Sequence, residues 1–535
     1  MKFYSYFVIA FLAFFTPFAF GGAEPWGLFI FNFVCIAYSC FILLKRNHFC
    51  VTSISKIVLA LLIFIIFLSL IQLLNQHTFL QKSTFLPFTL CRYYSLEGLS
   101  LLFSLTLLYF ALTQIIERTK EIKIFALLLT ISAVLFTLIG ITWHRGEYIF
   151  AFTGVSRIAS FGPFTSRNHG SQFVMASFFI SLILWLPHFL LDVKKRLPYK
   201  NIWFFTFSLI LFLGVFFTHS RGGVIALFLG LFTLIFMEIL FLAKDNAYRR
   251  FYLALTVCLF GGIIFLIIRY SADIGLRHFG TFSDQARLLL YTTAFDMLKD
   301  FPWTGVGFDA FSAAIDAYLK VSLKAFPRYL HNDWLELFLS FGYIYGTIIF
   351  TMIGVIVYKI FQLFKSLELK KRIRLSIVCA GLVGLSFTAL IDFPFHLPAC
   401  AFLFFCLLIF ASAGTFDKHI RKNVLPFTVK IIIVLVSLIL LYSNFQYFRT
   451  WRSFVFAKKL SPQVQVKQMS ESLRYYPSPI FIKRVLLANY KNSKSKNLSE
   501  EEGLEMKRYT HNLAILYLKQ YPKDKEISKF FLLTK

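Results

Sequence analysis

Long apolar segments alternate with short polar loops along most of the chain. Each of these segments is long enough to cross a bilayer as a helix, which takes about 20 residues. We interpret the first segment as a span, because the single lysine before it makes a weak signal peptide. The pattern predicts about 12 to 13 spans, near 4–22, 26–44, 56–74, 97–116, 124–143, 172–190, 202–217, 223–243, 251–269, 335–358, 375–391, 398–414 and 427–443. The expected fold class is all-α, a polytopic transmembrane helical bundle.

The longest polar interruption between two spans is the loop at 271–334. Two apolar stripes at helical spacing predict short helices in this loop, lying on the bilayer surface. The stripes are Leu288, Tyr291, Phe295 and Leu298, and then Phe308, Phe311, Ile315 and Leu319. A turn at 305–307, Gly-Val-Gly, lets the chain fold back between them.

The polarity of the chain changes after the last predicted span. We expect a transmembrane domain at 1–443 and a polar, helical C-terminal tail at 444–535. A short motif that runs from Leu to Pro recurs at 473–477 and 518–522, as in helical-hairpin repeats. The tail could cap the bundle, bind a partner or be passive.

Charge adds the orientation of the spans. The chain has 55 Lys and Arg against 26 Asp and Glu, a net charge of +29. In a soluble protein this balance would suggest nucleic acid, but here most basic residues lie in short loops between spans. Among the short loops, which exclude the loop at 271–334, one alternate set carries 21 basic residues and the other carries 6. We place the first set in the cytoplasm by the positive-inside rule, and we expect no nucleic-acid partner.

Four polar clusters then share the opposite, exoplasmic side, although they are far apart in sequence. They lie at 166–170, 219–223, 271–332 and 392–398. The tail is exoplasmic as well, so the two termini lie on opposite sides. Basic residues on this side weaken the orientation bias of the protein, which makes them functional candidates.

One histidine lies between the large loop and a span. His331 is followed by Asn332 and Asp333. Its imidazole could act as a general base, because it can accept a proton near neutral pH. Alternatively, Asn332 or Asp333 caps the helix and His331 has no chemical role.

Arg221 opens a span immediately before Gly222 and Gly223. It could clamp an anion, with the glycines letting a bulky ligand approach the backbone. Alternatively, it only extends to the membrane interface. The same two interpretations hold for the other polar side chains of this face, Arg287, Arg167 and His169.

We expect no metal and no cofactor. The histidines and the eight cysteines lack the spacing of a tight site, and no Asp-x-Asp occurs in an exoplasmic loop. Several arginines and one histidine on the outer face suit an anionic, lipid-linked donor, whose pyrophosphate the arginines would hold as it leaves.

At these positions the chain resembles the O-antigen ligase and polymerase superfamily. The resemblance covers roughly residues 10–410 and rests on short motifs in a fixed order on one side of the membrane. They are Phe20-Gly21-Gly22-Ala23-Glu24-Pro25-Trp26, Phe161-Gly162-Pro163-Phe164 with Arg167-Asn168-His169, Ser220-Arg221-Gly222-Gly223, Arg287-Leu288-Leu289-Leu290-Tyr291, Gly305-Val306-Gly307, His331-Asn332-Asp333 and Asp392-Phe393-Pro394.

The resemblance implies a glycan transferase of the bacterial inner membrane with its active site facing the periplasm. The donor would be a glycan on undecaprenyl pyrophosphate, and the acceptor a hydroxyl on a glycan, lipid A core or protein. Transfer would be metal-independent and inverting, with membrane lipids as the surroundings. Arg221 and Arg287 would bind the pyrophosphate, and His331 would take the acceptor proton. Further substrate contacts would come from Arg167, His169, Gly222 and Asp333.

The resemblance leaves the acceptor open, because ligases, polymerases and protein O-glycan transferases share these motifs. An additional span and the outer tail depart from the commonest ligase plan. A transporter of lipid-linked glycans is the alternative from another class. A transporter should carry charges in mid-span and often shows inverted repeats, and the sequence indicates neither.

Overall fold

The fold is seen in a computed structural model, which describes residues 2–78, 85–142, 147–150, 155–158, 160–191, 199–241, 282–319, 327–413, 421–457, 460–493, 500–521, 527–528 and 531. Its α-helices are α1 Lys2–Phe18, α2 Pro25–Lys45, α3 Ser53–Leu74, α4 Arg92–Thr113, α5 Thr119–Thr142, α6 Arg167–Leu191, α7 Tyr199–Phe217, α8 Arg221–Phe241, α9 Phe282–Asp300, α10 Phe311–Tyr318, α11 Asp333–Ser366, α12 Leu369–Thr388, α13 Pro398–Ser412, α14 Phe427–Ala457, α15 Pro462–Ser472, α16 Pro479–Ser493 and α17 Glu500–Gln520.

Helices occupy every predicted span except the one near 251–269, which lies outside the described residues. By length and composition, eight helices can cross a membrane, and three further apolar helices are shorter. The predicted fold class, an all-α polytopic bundle, is confirmed.

Helix starts follow local chemistry: Pro25 and Pro398 stand in the first turns of α2 and α13, where a missing N–H costs nothing. The Thr52 side chain caps α3 by accepting from the Ser55 N–H.

Two pairs of short antiparallel strands join the helices. β1 (His48–Val51) pairs with β4 (Arg421–Val424), and β2 (Glu147–Phe150) pairs with β3 (Val155–Ile158). The first pair brings together two loops that the charge pattern assigns to one side. At the same end of the bundle, Lys2 at the start of α1 forms an ion pair of 2.8 Å with Glu121 in the first turn of α5. The structure therefore supports the predicted grouping of the loops.

The centre of the bundle is formed by α6 and α12. α12 packs against α8 and α6, and the apolar side chains of these helices belong to one large buried cluster. Small residues allow the helices to approach closely, since a Cβ at Gly384 would lie 2.7 Å from the Met175 sulfur. Both central helices lead to the polar end of the bundle: α6 begins there, and the segment after α12 carries Asp392.

The large loop contains the two predicted helices, α9 and α10, and the stripe on α9 that was predicted to lie on the bilayer is enclosed by the protein only in part. Leu288 and Phe295 are 65% and 52% exposed. The buried face carries Leu290, Ala294 and Met297 instead. The reason is tertiary, because this face packs against the C-terminal tail, which a periodicity argument within α9 cannot include.

The predicted turn at 305–307, between the two loop helices, packs against a point where the helical backbone of α11 is interrupted. Gly342 lies inside α11 with φ +67°, and a Cβ there would lie 2.6 Å from the Gly305 nitrogen. Gly305 itself has φ +71°. Glycine fits both positions because left-handed backbone and close approach exclude a side chain. The Val306 N–H donates to the Leu339 carbonyl across this contact.

The tail is helical, as predicted, and packs on the end of the bundle that the charge pattern assigns to the exoplasmic side. Leu486 and Ala514 of α16 and α17 share a buried cluster with the loop helices. Trp451 and Phe481 pack with Phe20 near the start of the chain. Of the alternatives left open by the sequence, these contacts favour a cap. α14 continues to Ala457, past the expected boundary at 443, so the last span and the tail share one continuous helix.

Candidate active site

Three helix N-termini meet at the polar end of the bundle. α6 begins at Arg167, α8 begins at Arg221, and α11 begins at Asp333. The Ser220 hydroxyl donates to the Asn168 side-chain oxygen at 2.9 Å, which ties the starts of α6 and α8 together. Two polar clusters that are far apart in sequence thus lie side by side, which agrees with the prediction that they share one side of the membrane.

Gly222 and Gly223 provide close packing at this junction. A Cβ at Gly222 would lie 2.5 Å from the Ile391 Cδ1, next to Asp392, and a Cβ at Gly223 would overlap the Ser171 hydroxyl. Any side chain here would push α8 away from the Asp392 segment and from α6. The glycines therefore have a packing role, in addition to any close approach of a ligand to the backbone.

His331 is paired with Asp392. The His331 Nδ1 lies 3.0 Å from the Asp392 Oδ1. The carboxylate is only 3% exposed, whereas the imidazole is 35% exposed. A carboxylate on Nδ1 favours the tautomer with its proton on that nitrogen, which leaves Nε2 free to accept a proton. His331 also has φ +58°, a backbone conformation that non-glycine residues rarely adopt and that concentrates at functional sites.

His169 lies behind the same carboxylate. Its Nε2 is 3.7 Å from the Asp392 Oδ1, and its side chain is buried. Phe393 separates the two imidazoles, with its ring centroid 4.7 Å from each. Burial raises the pKa of Asp392, but the two histidines outweigh burial and hold the pKa below its usual range. Asp392 therefore stays ionised, and His169 is placed to support it.

Arg287 is held near His331 by helix α9. The Tyr291 hydroxyl donates to the His331 carbonyl at 2.8 Å. Arg287 lies one helical turn before Tyr291, half-buried and within electrostatic range of its ring hydroxyl. The large loop thus places a guanidinium beside the backbone of the histidine.

Arg167 and Arg221 are exposed at the first positions of α6 and α8. A polar pocket of about 340 Å³ opens at this point, lined by Ser160, Thr165, Ser166, Arg167, Asn168, Thr218 and His219. Helix N-termini present backbone N–H groups and the positive end of the helix dipole. Two N-termini, each led by an arginine, make this end of the bundle suitable for phosphate oxygens.

Asp333 is enclosed in the protein. Its carboxylate accepts from the Phe395 N–H and lies 2.8 Å from the His396 Nδ1. Asn332, not Asp333, caps α11 by accepting from the Leu335 N–H at 2.9 Å. Burial lowers the pKa of His396, but Glu336 and Asp333 outweigh it and raise the pKa to about 9. Asp333 thus orients His396 and the Phe395 backbone, which differs from the direct substrate contact expected from the sequence.

A buried ionic network that the sequence analysis did not assign lies beside this histidine. Arg328 forms ion pairs of 3.1 Å with Asp309 and 3.2 Å with Glu97. Its guanidinium also stacks 3.9 Å from the Tyr94 ring centroid. The sequence carried a signal for this network, because Arg328 is a further basic residue in the loop that the charge pattern assigns to the exoplasmic side.

Among the described residues, one group has ligand atoms close enough together to hold a metal ion. It consists of Asp309, Glu336 and His396, whose ligand atoms all lie within 4.8 Å of one another. An ionic network also explains why these groups lie together. A protonated His396 and Arg328 supply two positive charges to the carboxylates of Asp309 and Glu336. A cavity of about 220 Å³ extends from this network to His169.

Asp392 is the main residue whose role the sequence analysis missed. It was recognised within Asp392-Phe393-Pro394, but nothing in the sequence pairs it with a particular histidine. The partner His331 lies 61 positions away. Only the packing of α12 against α6 and α8 brings the Asp392 segment to both histidines.

The chain can now be compared with known proteins. A family model described as O-Antigen ligase matches residues 205–350. No curated protein matches the chain. The matched part runs from within α7 into α11 and contains Arg221, Arg287 and His331. It contains most of the candidate site and agrees with the resemblance found in the sequence, so this part of the chain, residues 205–350, is similar to the O-antigen ligase family.

Proposed function

We propose that the protein transfers a glycan from undecaprenyl pyrophosphate to an acceptor hydroxyl at the periplasmic face of the bacterial inner membrane. The family supports glycan transfer of the ligase or polymerase type. The observation that carries the finer proposal is the partly exposed His331, paired with the buried Asp392, beside two helix N-termini that begin with arginine. This arrangement offers a base and an anion site on one face.

The donor would bind through its pyrophosphate. Arg221 and Arg287 provide charge and forked N–H donors that match phosphate oxygens. Arg167 and the N–H groups at the starts of α6 and α8 add to the same positive end. As the bond to the sugar breaks, negative charge grows on the pyrophosphate, so these groups stabilise the transition state more than the ground state.

His331 would activate the acceptor. The acceptor oxygen attacks the anomeric carbon while the bond from that carbon to the pyrophosphate oxygen breaks. The electron pair leaves with undecaprenyl pyrophosphate, and the acceptor proton passes to the His331 Nε2. Asp392 stabilises the imidazolium that forms. Attack from the face opposite the leaving group inverts the configuration, and no step requires a metal ion.

The cavity near His169 suits the acceptor. Its lining includes the carboxylates of Glu97 and Asp309 and the rings of Tyr329 and Tyr447. Carboxylates accept hydrogen bonds from hydroxyl groups, and the aromatic rings belong to a lining that is mostly apolar, onto which the apolar faces of sugar rings can pack. Such a lining fits a sugar on a glycan or lipid A core, and a polymerase of repeat units or a protein O-glycan transferase remains the alternative.

The glycan pool in cells lacking the protein tests the function. A ligase predicts that polymerised glycan accumulates on its lipid carrier without being attached. A polymerase predicts that single repeat units accumulate instead. A normal pool, or lipid-linked glycan trapped on the cytoplasmic face, would contradict glycan transfer, and the second result would support a transporter.

The orientation is tested by reporters. A periplasm-specific reporter fused after Lys535 should be active, because α14 carries the chain outward. The same reporter inserted between α11 and α12, near Ser366, should be inactive, because this loop is rich in lysine and arginine. Activity at both positions would contradict the periplasmic placement of His331.

Asp392→Asn should lower turnover by on the order of 10- to 100-fold, because an amide neither selects the His331 tautomer nor stabilises the imidazolium. Donor affinity should stay close to wild type. Both are measured with purified protein, lipid-linked donor and acceptor. Asp296→Asn is the matched control, since Asp296 pairs with Lys299 on the surface of α9. An equal loss in both variants would remove Asp392 from the mechanism.

A further inference from the structure

A second polar cluster lies at the opposite end of the bundle. It combines Lys123 from the first turns of α5, His188 from the last turn of α6, and Lys370 and Arg374 from the first turns of α12. We call these four residues the basic pocket. His188 and His169 stand on the same helix, about 28 Å apart at 1.5 Å per residue. The pocket is therefore separate from the candidate active site.

Two lysines converge on one imidazole in the basic pocket. The Lys123 Nζ lies 2.7 Å from the His188 Nε2, and the Lys370 Nζ lies 3.3 Å from the His188 Nδ1. A neutral imidazole accepts at one nitrogen and donates at the other, so it cannot accept from both ammonium groups. The histidine alone therefore does not satisfy the two lysines.

Arg374 adds a third positive charge and an unsatisfied donor. It is 5% exposed, and its guanidinium donates to the Thr119 hydroxyl at 2.9 Å. Its Nε–H has no hydrogen-bond partner, and no carboxylate of the described residues forms an ion pair with it. Thr119 lies one turn before Lys123 on α5, and Arg374 lies one turn after Lys370 on α12, so the cations face one another.

Two acidic side chains of the described residues lie near the pocket, and neither is paired with its cations. Glu121, two positions before Lys123, is paired with Lys2. Glu238 on α8 is buried toward Ser376 on another face of α12. The C-terminus of α6 offers only about half a negative charge against three cations. Among the described residues no carboxylate neutralises the three cations, so the group favours an external anion.

We propose that the basic pocket binds the phosphate headgroup of an anionic membrane lipid. Lysine and arginine side chains between transmembrane helices on the positively charged side are a recurrent site for such headgroups. Exposed apolar side chains flank the pocket, Phe189 next to His188 and Leu369 next to Lys370. They provide a surface for acyl chains, which a free anion would not need.

Binding there would brace the helices that carry the candidate active site. α6 presents His169 at its far end, and α12 leads into the segment with Asp392. A headgroup bridging α5, α6 and α12 removes the repulsion among their cations, which otherwise pushes the helices apart. The bound lipid would thus act as a structural ligand.

The first experiment uses the delipidated full-length protein in detergent. Phosphatidylglycerol or cardiolipin is added, and binding is followed by native mass spectrometry and by the unfolding midpoint. Bound lipid and a raised midpoint are expected with the anionic lipids, and neither with phosphatidylcholine. Equal effects of both lipid classes would overturn the proposal. The same rise with inorganic phosphate alone would also overturn it, since a free anion would then suffice.

A charge-matched pair of variants locates the site. Lys123→Ala with Lys370→Ala should weaken anionic lipid binding about 30-fold, since each basic residue at a membrane surface contributes on the order of fivefold. Lys120→Ala with Lys371→Ala removes the same charge from the same helices outside the pocket and should leave binding unchanged. Equal losses in the two pairs would overturn the assignment.

A crosslinking measurement on the wild-type protein does not depend on the folding of variants. A phosphatidylglycerol carrying a photoreactive group near its headgroup should label peptides that contain Lys123, His188 and Lys370. Labelling spread evenly over all the basic loops would contradict a defined pocket.

Discussion

Replacing His331 with alanine should abolish glycan transfer while leaving affinity for the lipid-linked donor nearly unchanged. The loss expected for a missing general base is about 10²- to 10⁴-fold in turnover. The helix cap is kept, because Asn332 provides it, but the buried Asp392 loses one of its two histidine partners, so some stability is lost and only folded, inserted protein is compared. Turnover and donor affinity are measured separately, with purified protein, lipid-linked donor and acceptor.

The pH profile adds a second readout for His331. A base works only when it is deprotonated, so wild-type turnover should fall in acid, and the residual turnover of His331→Ala should not show that fall. Asp392 should add no step of its own, since its pKa is held below the usual carboxyl range. His77→Ala serves as the control, because His77 stacks on Phe88 away from the site. Wild-type turnover in His331→Ala would exclude it as the base.

Replacing Arg221 or Arg287 with alanine should weaken donor binding and lower turnover together. Each arginine faces the pyrophosphate in the proposed complex, and a charge-assisted hydrogen bond contributes about 1.5 to 3 kcal/mol, or roughly 10- to 150-fold. Lysine keeps the charge but lacks the planar fork, so Arg→Lys should restore activity only in part. Donor affinity and turnover in folded, inserted protein are the measurements.

Arg92→Ala is the control for the two arginines. Arg92 opens α4 and donates to the Leu73 carbonyl. Its replacement by alanine removes one positive charge from the same predicted side of the protein. Donor affinity should remain at the wild-type level in this variant. Full activity in Arg221→Ala would mean that Arg221 only extends to the membrane interface.

The pattern of apolar and polar residues was sufficient to predict the helices and to assign their ends to two groups, one on each side of the membrane. A span depends on local hydrophobicity, because the bilayer requires each segment to satisfy its own backbone hydrogen bonds. The alternation of basic loops then assigns the ends to two groups, and contacts such as Lys2 with Glu121 agree with it. The same reasoning placed Arg221 and His331 on one face before any contact was known.

Some features of the site depend on packing between distant segments. The pairing of His331 with Asp392, the support from His169 and the burial of Asp333 follow from how α6, α8, α11 and α12 pack. Sequence periodicity shows which residues share a face of one helix, but it does not show which helices are neighbours. For this reason Asp392 had no role and Asp333 was assigned to the substrate.

Local composition and order were therefore enough to predict the all-α membrane fold, the resemblance to O-antigen ligases and the polar face on which the candidate residues lie. Packing between helices determines which histidine nitrogen meets a carboxylate, which face of α9 is buried in the protein, and where two lysines converge on His188. These depend on distances between side chains from different helices, and only the packed bundle sets those distances.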